Sequence, residues 1–236
     1  MIILKKLSWL SVLFLTFALV SSSLFIDLNN AQAAARVQTH TFYTAKNSTS
    51  SGYKYIKYPQ ISGLQNHSAQ VIINKTLKNE ARSFYSMRQK FLKNNPSFKT
   101  DGYTSQSEGG LTYKVRYFKK NKLSIEFSHN LYGAGAAHGS QNTVIYNFYT
   151  NRGYNVSLKS NFISVNAYHS ANKYVQSYMK KHKSKYPFAF DNQKASIYGH
   201  EYYWISDGLR VQFQEYEVAP YADGHPTVFI PSKYLK

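Results

Sequence analysis

Apolar and amphipathic side chains recur along this chain in two rhythms. Ile73, Leu77, Ala81, Phe84, Arg88 and Phe91 step by three or four residues, which places them on one face of a helix. The spacing predicts that helix over 68–93. Asn94-Asn95-Pro96 ends it, because proline cannot continue a helix and turns the preceding residue away from helical geometry. A second helix, weaker in pattern, is predicted over 165–181, where Lys180, Lys181 and His182 suit the negative end of its dipole.

The other rhythm has period two. Leu111, Tyr113, Val115 and Tyr117 alternate with Thr112, Lys114 and Arg116, and Leu123, Ile125 and Phe127 alternate with Ser124, Glu126 and Ser128. Such alternation marks half-buried strands, and the short polar stretch 119–122 joins them as a hairpin. A second hairpin is predicted from 142–149 and 154–158 about Asn151-Arg152-Gly153. A third comes from 201–205 and 209–213 about Ser206-Asp207-Gly208. Residues 53–58 read as a strand stopping at Pro59, residues 133–139 as a Gly/Ala-rich loop, and 227–230 as a last strand before Pro231. Hairpins separated by single helices predict an α+β fold, a mainly antiparallel sheet with two main helices packed on it. The polar alternates are expected to face water. Residues 36–52 are polar and Ser/Thr-rich, so 34–52 is expected to be an exposed lead-in or linker.

The first residues read as an address. Lys5 and Lys6 precede the apolar run 7–20, and Ala31-Gln32-Ala33 is an A-x-A cleavage signal, so 1–33 is predicted to be a signal peptide. An uncleaved anchor is the other reading, since apolar character resumes at Leu24-Phe25-Ile26. Either way the bulk of the chain is expected to be secreted, with no stable membrane span after cleavage.

The chain has 236 residues, no Cys and a formal charge of +18. Without Cys there are no disulfides, thiolate metal sites or cysteine nucleophiles. Removing Lys5, Lys6 and Asp27 with the leader leaves 27 basic and 10 acidic side chains, a charge of +17. A field of that sign favours polyanions. Outside a cell the expected partner is an anionic wall polymer or peptidoglycan at a Gram-positive envelope, and not nucleic acid. A plainer reading is that the charge only keeps the protein soluble.

Chemistry is sparse. His138 beside flexible glycines suits either a ligand contact or a backbone hydrogen bond in a tight connection. His129, His138, His200 and His225 lack the spacing of a metal site, so no metal and no cofactor is expected. No G-x-S-x-G occurs. Paired carboxylates for glycoside cleavage could come from Glu201, Glu215, Glu217 or Asp223. Glu215 and Glu217 are expected on one strand face, where salt bridging is a plainer role than glycoside cleavage. The chain is therefore expected not to be an enzyme. Tyr216, Pro220 and Tyr221 suit an aromatic platform for a sugar or peptide, or else a corner packing the last strand. The candidate ligand-binding residues are His138, Tyr216 and Tyr221.

Four segments together carry a resemblance. They are Tyr58-Pro59-Gln60-Ile61-Ser62-Gly63-Leu64 with Val71-Ile72-Ile73-Asn74; Gly135-Ala136-Ala137-His138-Gly139; Asn147-Phe148 with Arg152-Gly153 and Val156-Ser157-Leu158; and Asp207-Gly208-Leu209, Phe213, Tyr216-Glu217-Val218-Ala219-Pro220-Tyr221-Ala222, Gly224 and Ile230-Pro231. In this order they resemble the secreted domain-of-unknown-function 3298 family, with its companion 4163 region in front. The resemblance implies a companion region over 53–130 and a 3298-type domain over 131–236. The family is similar to the extracellular domain of the anti-sigma factor RsiV, which binds lysozyme, and to the accessory domain of a peptidoglycan deacetylase. It therefore implies an envelope-binding tendency. A lysozyme-type protein partner and a wall hydrolase or deacetylase stand as alternatives. Ser160-Asn161-Phe162 stands where the family commonly has an acidic segment, and His225 where a small or apolar residue is usual. Neither an anti-sigma segment nor a deacetylase domain is expected in this chain.

Overall fold

The computed structural model describes residues 35–46, 51–100, 102–191 and 195–236. The predicted signal peptide, 1–33, therefore lies outside the described residues. Arg36–Lys236 form one compact unit. Its five-stranded sheet runs in the order β1 (Arg36–Thr44), β2 (Tyr55–Ser62), β5 (Glu108–Lys119), β6 (Lys122–Tyr132), β7 (Ser140–Tyr149). A small hairpin, β3 (Phe98–Thr100) and β4 (Tyr103–Ser105), precedes β5. A three-stranded sheet holds β8 (Glu201–Ile205), β9 (Gly208–Gln212) and β10 (Thr227–Pro231), with β9 central. All pairings are antiparallel except β2 with β5. With the two helices α1 (His67–Asn94) and α2 (Val165–Lys181), this is the α+β fold that the pattern predicts. Among the described residues, no helix is long and apolar enough to cross a membrane.

Each helix starts on a side-chain cap. Asn66 accepts the Ala69 N–H at α1, and Ser164 accepts the Ala167 N–H at α2. Ile73, Leu77, Ala81 and Phe84 of α1 pack on Ile56, Leu111, Leu123, Ile125, Phe127 and Phe148, one face of the large sheet. Ala167, Ala171, Val175 and Met179 of α2 share a second core with Tyr202, Trp204, Leu209, Val211 and Ile230. Gly153, at φ +85°, lies against α1: a Cβ there would come within 2.7 Å of Ala69 Cα.

Two polar alternates of β6, Ser124 and Glu126, do not face water, whereas Lys114 of β5 does. Ser124 and Asn147, directly opposite each other on β6 and β7, are buried. The Ser124 hydroxyl donates to Asn147 Oδ1 at 2.6 Å and accepts the Trp204 N–H at 3.1 Å. Asn147 Nδ2 donates to the Tyr202 carbonyl at 2.7 Å. The open edge of β8 thus lies on the polar face of the large sheet, and two side chains supply the backbone partners that edge needs. On the same face, Arg116 grips Glu126 through two bonds of 2.7 and 2.8 Å and lies over the Tyr203 ring.

The outer edge of β7 is closed in the same manner. Gln214 accepts the Thr143 N–H at 3.0 Å and donates to the Thr143 carbonyl at 2.9 Å. Glu215 accepts the Gln141 N–H, and His225 donates to the Gln141 carbonyl. Glu201 takes a backbone bond from Ile145, and Asn155 and Val156 take up Asn147. On β2, Asn74 of α1 does likewise, bonding both the N–H and the carbonyl of Ile61. Those groups face away from β1, and so does the nitrogen of Pro59 two residues earlier. Pro59 therefore sits inside β2 rather than ending it, since its missing N–H falls on an edge without a strand partner.

Three further differences have local causes. Residues 36–44, polar and mostly exposed as a lead-in would be, pair with β2 as an edge strand. The second predicted hairpin shrinks to one bridge, Phe148 with Asn155, because Asn155 and Val156 serve the edge at Asn147 instead of extending a ladder. Glu215 and Glu217 sit in a turn beyond β9 and not on a strand face.

Asn147→Ala removes the donor to Tyr202 and the acceptor of Ser124. It should lower unfolding stability by about 2 kcal/mol in urea titrations, the cost of leaving buried polar groups unsatisfied. Asn142→Ala, at the exposed start of the same strand, should stay within about 0.5 kcal/mol.

Candidate functional site

The loop between β6 and β7 carries His138, and the turn after β9 carries Tyr216 and Tyr221. Gln214 and Glu215, by gripping Thr143 and Gln141, hold that turn beside the loop. Glu217 tightens it: its carboxylate accepts the Gln214 N–H at 2.8 Å, and its own N–H donates to the Gln214 carbonyl at 3.2 Å. Tyr216 is left at φ +63°, a left-handed conformation that costs a bulky residue energy. Pro220 then starts a short helical turn at Tyr221, and Gly224 at φ +60° leaves it.

The three residues singled out in the sequence meet. The His138 and Tyr221 rings stack at 4.1 Å between centroids, and Tyr216 stacks on Tyr221 at 5.8 Å. His138 Nδ1 lies 2.8 Å from the Gly139 carbonyl. A carbonyl only accepts, so Nδ1 carries the proton, and in the neutral ring Nε2 accepts the Tyr216 hydroxyl at 3.2 Å. His138 is exposed and Tyr216 is 49% exposed.

Two tyrosines join them that the sequence reading does not single out as site residues. Tyr53 rests its hydroxyl on Gly139, where a Cβ would overlap it, so a larger residue there would push the Tyr53 ring aside. Tyr132 lies 6.4 Å from Tyr53 between centroids and ties the loop by donating to the Ala136 carbonyl. Burial pushes the Tyr53 phenol up, and Tyr221, Glu108, Tyr132 and Glu215 push it further. In the sequence, Tyr53 reads as part of a Tyr/Lys alternation over 53–58, suited to a polyanionic glycan or to an edge strand, whereas here it belongs to the helical turn Ser51–Lys54. The arrangement offers stacked ring faces and hydroxyls, which suit a sugar ring or a peptide side chain.

The remaining histidines and carboxylates disperse. His200 pairs with Glu217 and packs on Phe213, and His225 meets the Gln141 carbonyl. Among the described residues, no three His, Cys, Asp or Glu side chains form a group able to hold a metal. Burial raises the Glu201 carboxyl, only partly offset by its bond from Ile145. Asp223 sits exposed in the turn of Tyr221.

His129 joins a buried circuit under α1. Its Nε2 lies 2.8 Å from Glu80, which also accepts the Tyr146 hydroxyl at 2.6 Å. Burial alone would push the Glu80 carboxyl up, but the hydrogen bonds from His129 and Tyr146 outweigh it and hold it below the ordinary range.

Comparison with known proteins bears out the resemblance. Residues 45–141 match the family model described as deacetylase PdaC, and residues 160–233 match the protein of unknown function DUF3298. A crystal structure of a DUF3298 family member from Bacteroides fragilis superposes with a TM-score of 0.55 at 16% identity, covering 86% of this chain and 92% of that one. A DUF3298 family protein from Pseudomonas aeruginosa PAO1 gives 0.50 at 15% identity, over 85% and 90%. At these identities the likeness is one of fold. No curated protein matches.

The Glu80 circuit makes a testable claim. A carboxyl held low in the folded state contributes stability above its unfolded pKa, about 4.3, and loses it as pH falls through the folded value. Wild type should exceed Glu80→Gln in unfolding stability at pH 7. That gap should narrow from about pH 5 downward. A gap that stays constant to pH 3 in denaturant titrations would contradict the assignment.

Proposed function

We propose that this chain is an exported, non-catalytic binding domain of the bacterial cell envelope, which holds peptidoglycan or an anionic wall polymer. The observation that carries the reading is the exposed stack of His138, Tyr216 and Tyr221. Backbone strain at Tyr216 adds support, because strain persists where the surroundings over-determine it, and it collects at sites of function. The matches to a deacetylase-type model and to DUF3298 support an accessory role at the envelope, and the charge of +18 supports attraction to polyanions. Both ring nitrogens of His138 are engaged, by Gly139 and Tyr216, which favours binding over proton transfer.

One observation supports a second reading. Glu215, half-buried, lies near enough to act on Tyr53, so the edge of the stack also suits a basic protein surface of the lysozyme type.

The test is sedimentation of the protein with wall sacculi, with and without teichoic acid, over a salt series. Wild type should sediment with sacculi. Tyr216→Ala/Tyr221→Ala should lose about tenfold in affinity while keeping its thermal midpoint, on the scale of about 1–1.5 kcal/mol for an aromatic stacking contact. No binding to any sacculus preparation would reject the reading and favour a protein partner.

A further inference from the structure

A second surface differs from the aromatic stack in both place and charge. At the far end of the large sheet, a cleft of about 660 Å³ is lined by Lys120, Arg152, Lys236, Tyr149 and Tyr154, with Asn and Ser side chains between them. A smaller cleft shares Lys120, Tyr149 and Lys236 with it and adds Lys122 and Trp204. Neither is lined by an acidic side chain. None of the four cations stands in an ion pair among the described residues.

The local structure holds these cations in place. Lys120 and Asn121 form the β5–β6 turn, both at positive φ, 50° and 58°. That turn usually takes Asn or Gly, and a lysine there is an uncommon choice. The Asn121 carbonyl accepts the Thr150 N–H at 2.9 Å, which fastens the turn to the end of β7. Arg152 lies over the Tyr149 ring and donates to the Tyr154 hydroxyl at 2.8 Å. Lys122 lies 5.3 Å from the Trp204 ring centroid. Burial pulls the Lys122 ammonium down and the charge of Lys120 pulls it further, with no acid opposing them. Cations crowded together without a counter-charge are the complement of an anion.

We propose that the cleft of Lys120 and Arg152, extended by Lys122 of the adjoining one, binds the phosphodiester groups of a wall polymer, with the Tyr149 and Tyr154 rings against its sugar or polyol units. Arginine and lysine donors suit phosphate oxygens, and a cleft of this volume takes a short stretch of chain. The inference rests on the envelope-binding reading and gives it a second, chemically distinct contact. The aromatic stack, with its ring faces and hydroxyls, would serve the neutral sugar parts of the wall.

The test titrates the full chain with poly(glycerol phosphate) over a salt series and compares two charge-matched variants. Lys120→Gln/Arg152→Gln lies in the cleft. Lys75→Gln/Lys78→Gln lies on the exposed side of α1. The cleft pair should weaken binding by about tenfold or more, as for lost charge-assisted hydrogen bonds. The helix pair should stay within about twofold, since exposed distant charges are screened. Lys120→Arg/Arg152→Lys should retain binding, which separates lost charge from lost fold. Equal loss in the two charge-removing pairs, or loss in neither, overturns the cleft. So does a preference for phosphatidylglycerol vesicles, which would place the phosphate on a lipid. Wild type that binds sacculi but not poly(glycerol phosphate) overturns this inference and leaves the envelope reading intact.

Discussion

The architecture depends on one polar junction. An open strand edge cannot be buried against a sheet face unless that face supplies donors and acceptors at the right places. Ser124 and Asn147 do so for β8, and they bond each other while doing it. Each strand that carries them turns its other face to α1 through Leu123, Ile125 and Phe148. The two hydrophobic cores therefore meet across a hydrogen-bonded layer and not across oil. In a low-dielectric interior such a layer fixes one register, because a one-residue slip would leave every member unpaired.

The aromatic stack inherits its position from the same logic. Gln214 and Glu215 are held to β7 because its outer edge needs partners. Tyr216 follows immediately, and the bend forced on it turns its ring toward His138. His138 in turn leaves a loop pinned by Tyr53 and Tyr132. Scaffold and stack thus share residues, so changes at the edge are transmitted to the ring faces.

Much of this was legible in the sequence, and the rest was hidden for physical reasons. The second helix, weak in apolar pattern, is still readable to its ends, because Lys180, Lys181 and His182 suit its C-terminal dipole. His138, Tyr216 and Tyr221 stand out because glycine and proline punctuate the chain around them. The polar positions of β6 mislead, since Ser124 looks solvent-facing until a strand edge arrives to use it. Strand β1 is hidden because an exposed edge strand needs few apolar residues. Tyr132 ends a strand rich in β-forming residues and carries no mark of its neighbours. Asn161, outside any expected site, joins the Tyr202 hydroxyl to the Trp204 indole, a contact that only the folded chain reveals.

Three of the edge closures use a carboxamide: Asn74 on Ile61, Asn147 on Tyr202, and Gln214 on Thr143. Only an amide can donate and accept from one short, planar group. A carboxylate of the same shape accepts on both sides and would face a backbone carbonyl with repulsion. Deamidation exchanges one nitrogen for one oxygen and is therefore the smallest covalent change able to unlatch these strands. Loss of any one of the three amides would therefore set a strand edge loose from the side chain that closes it.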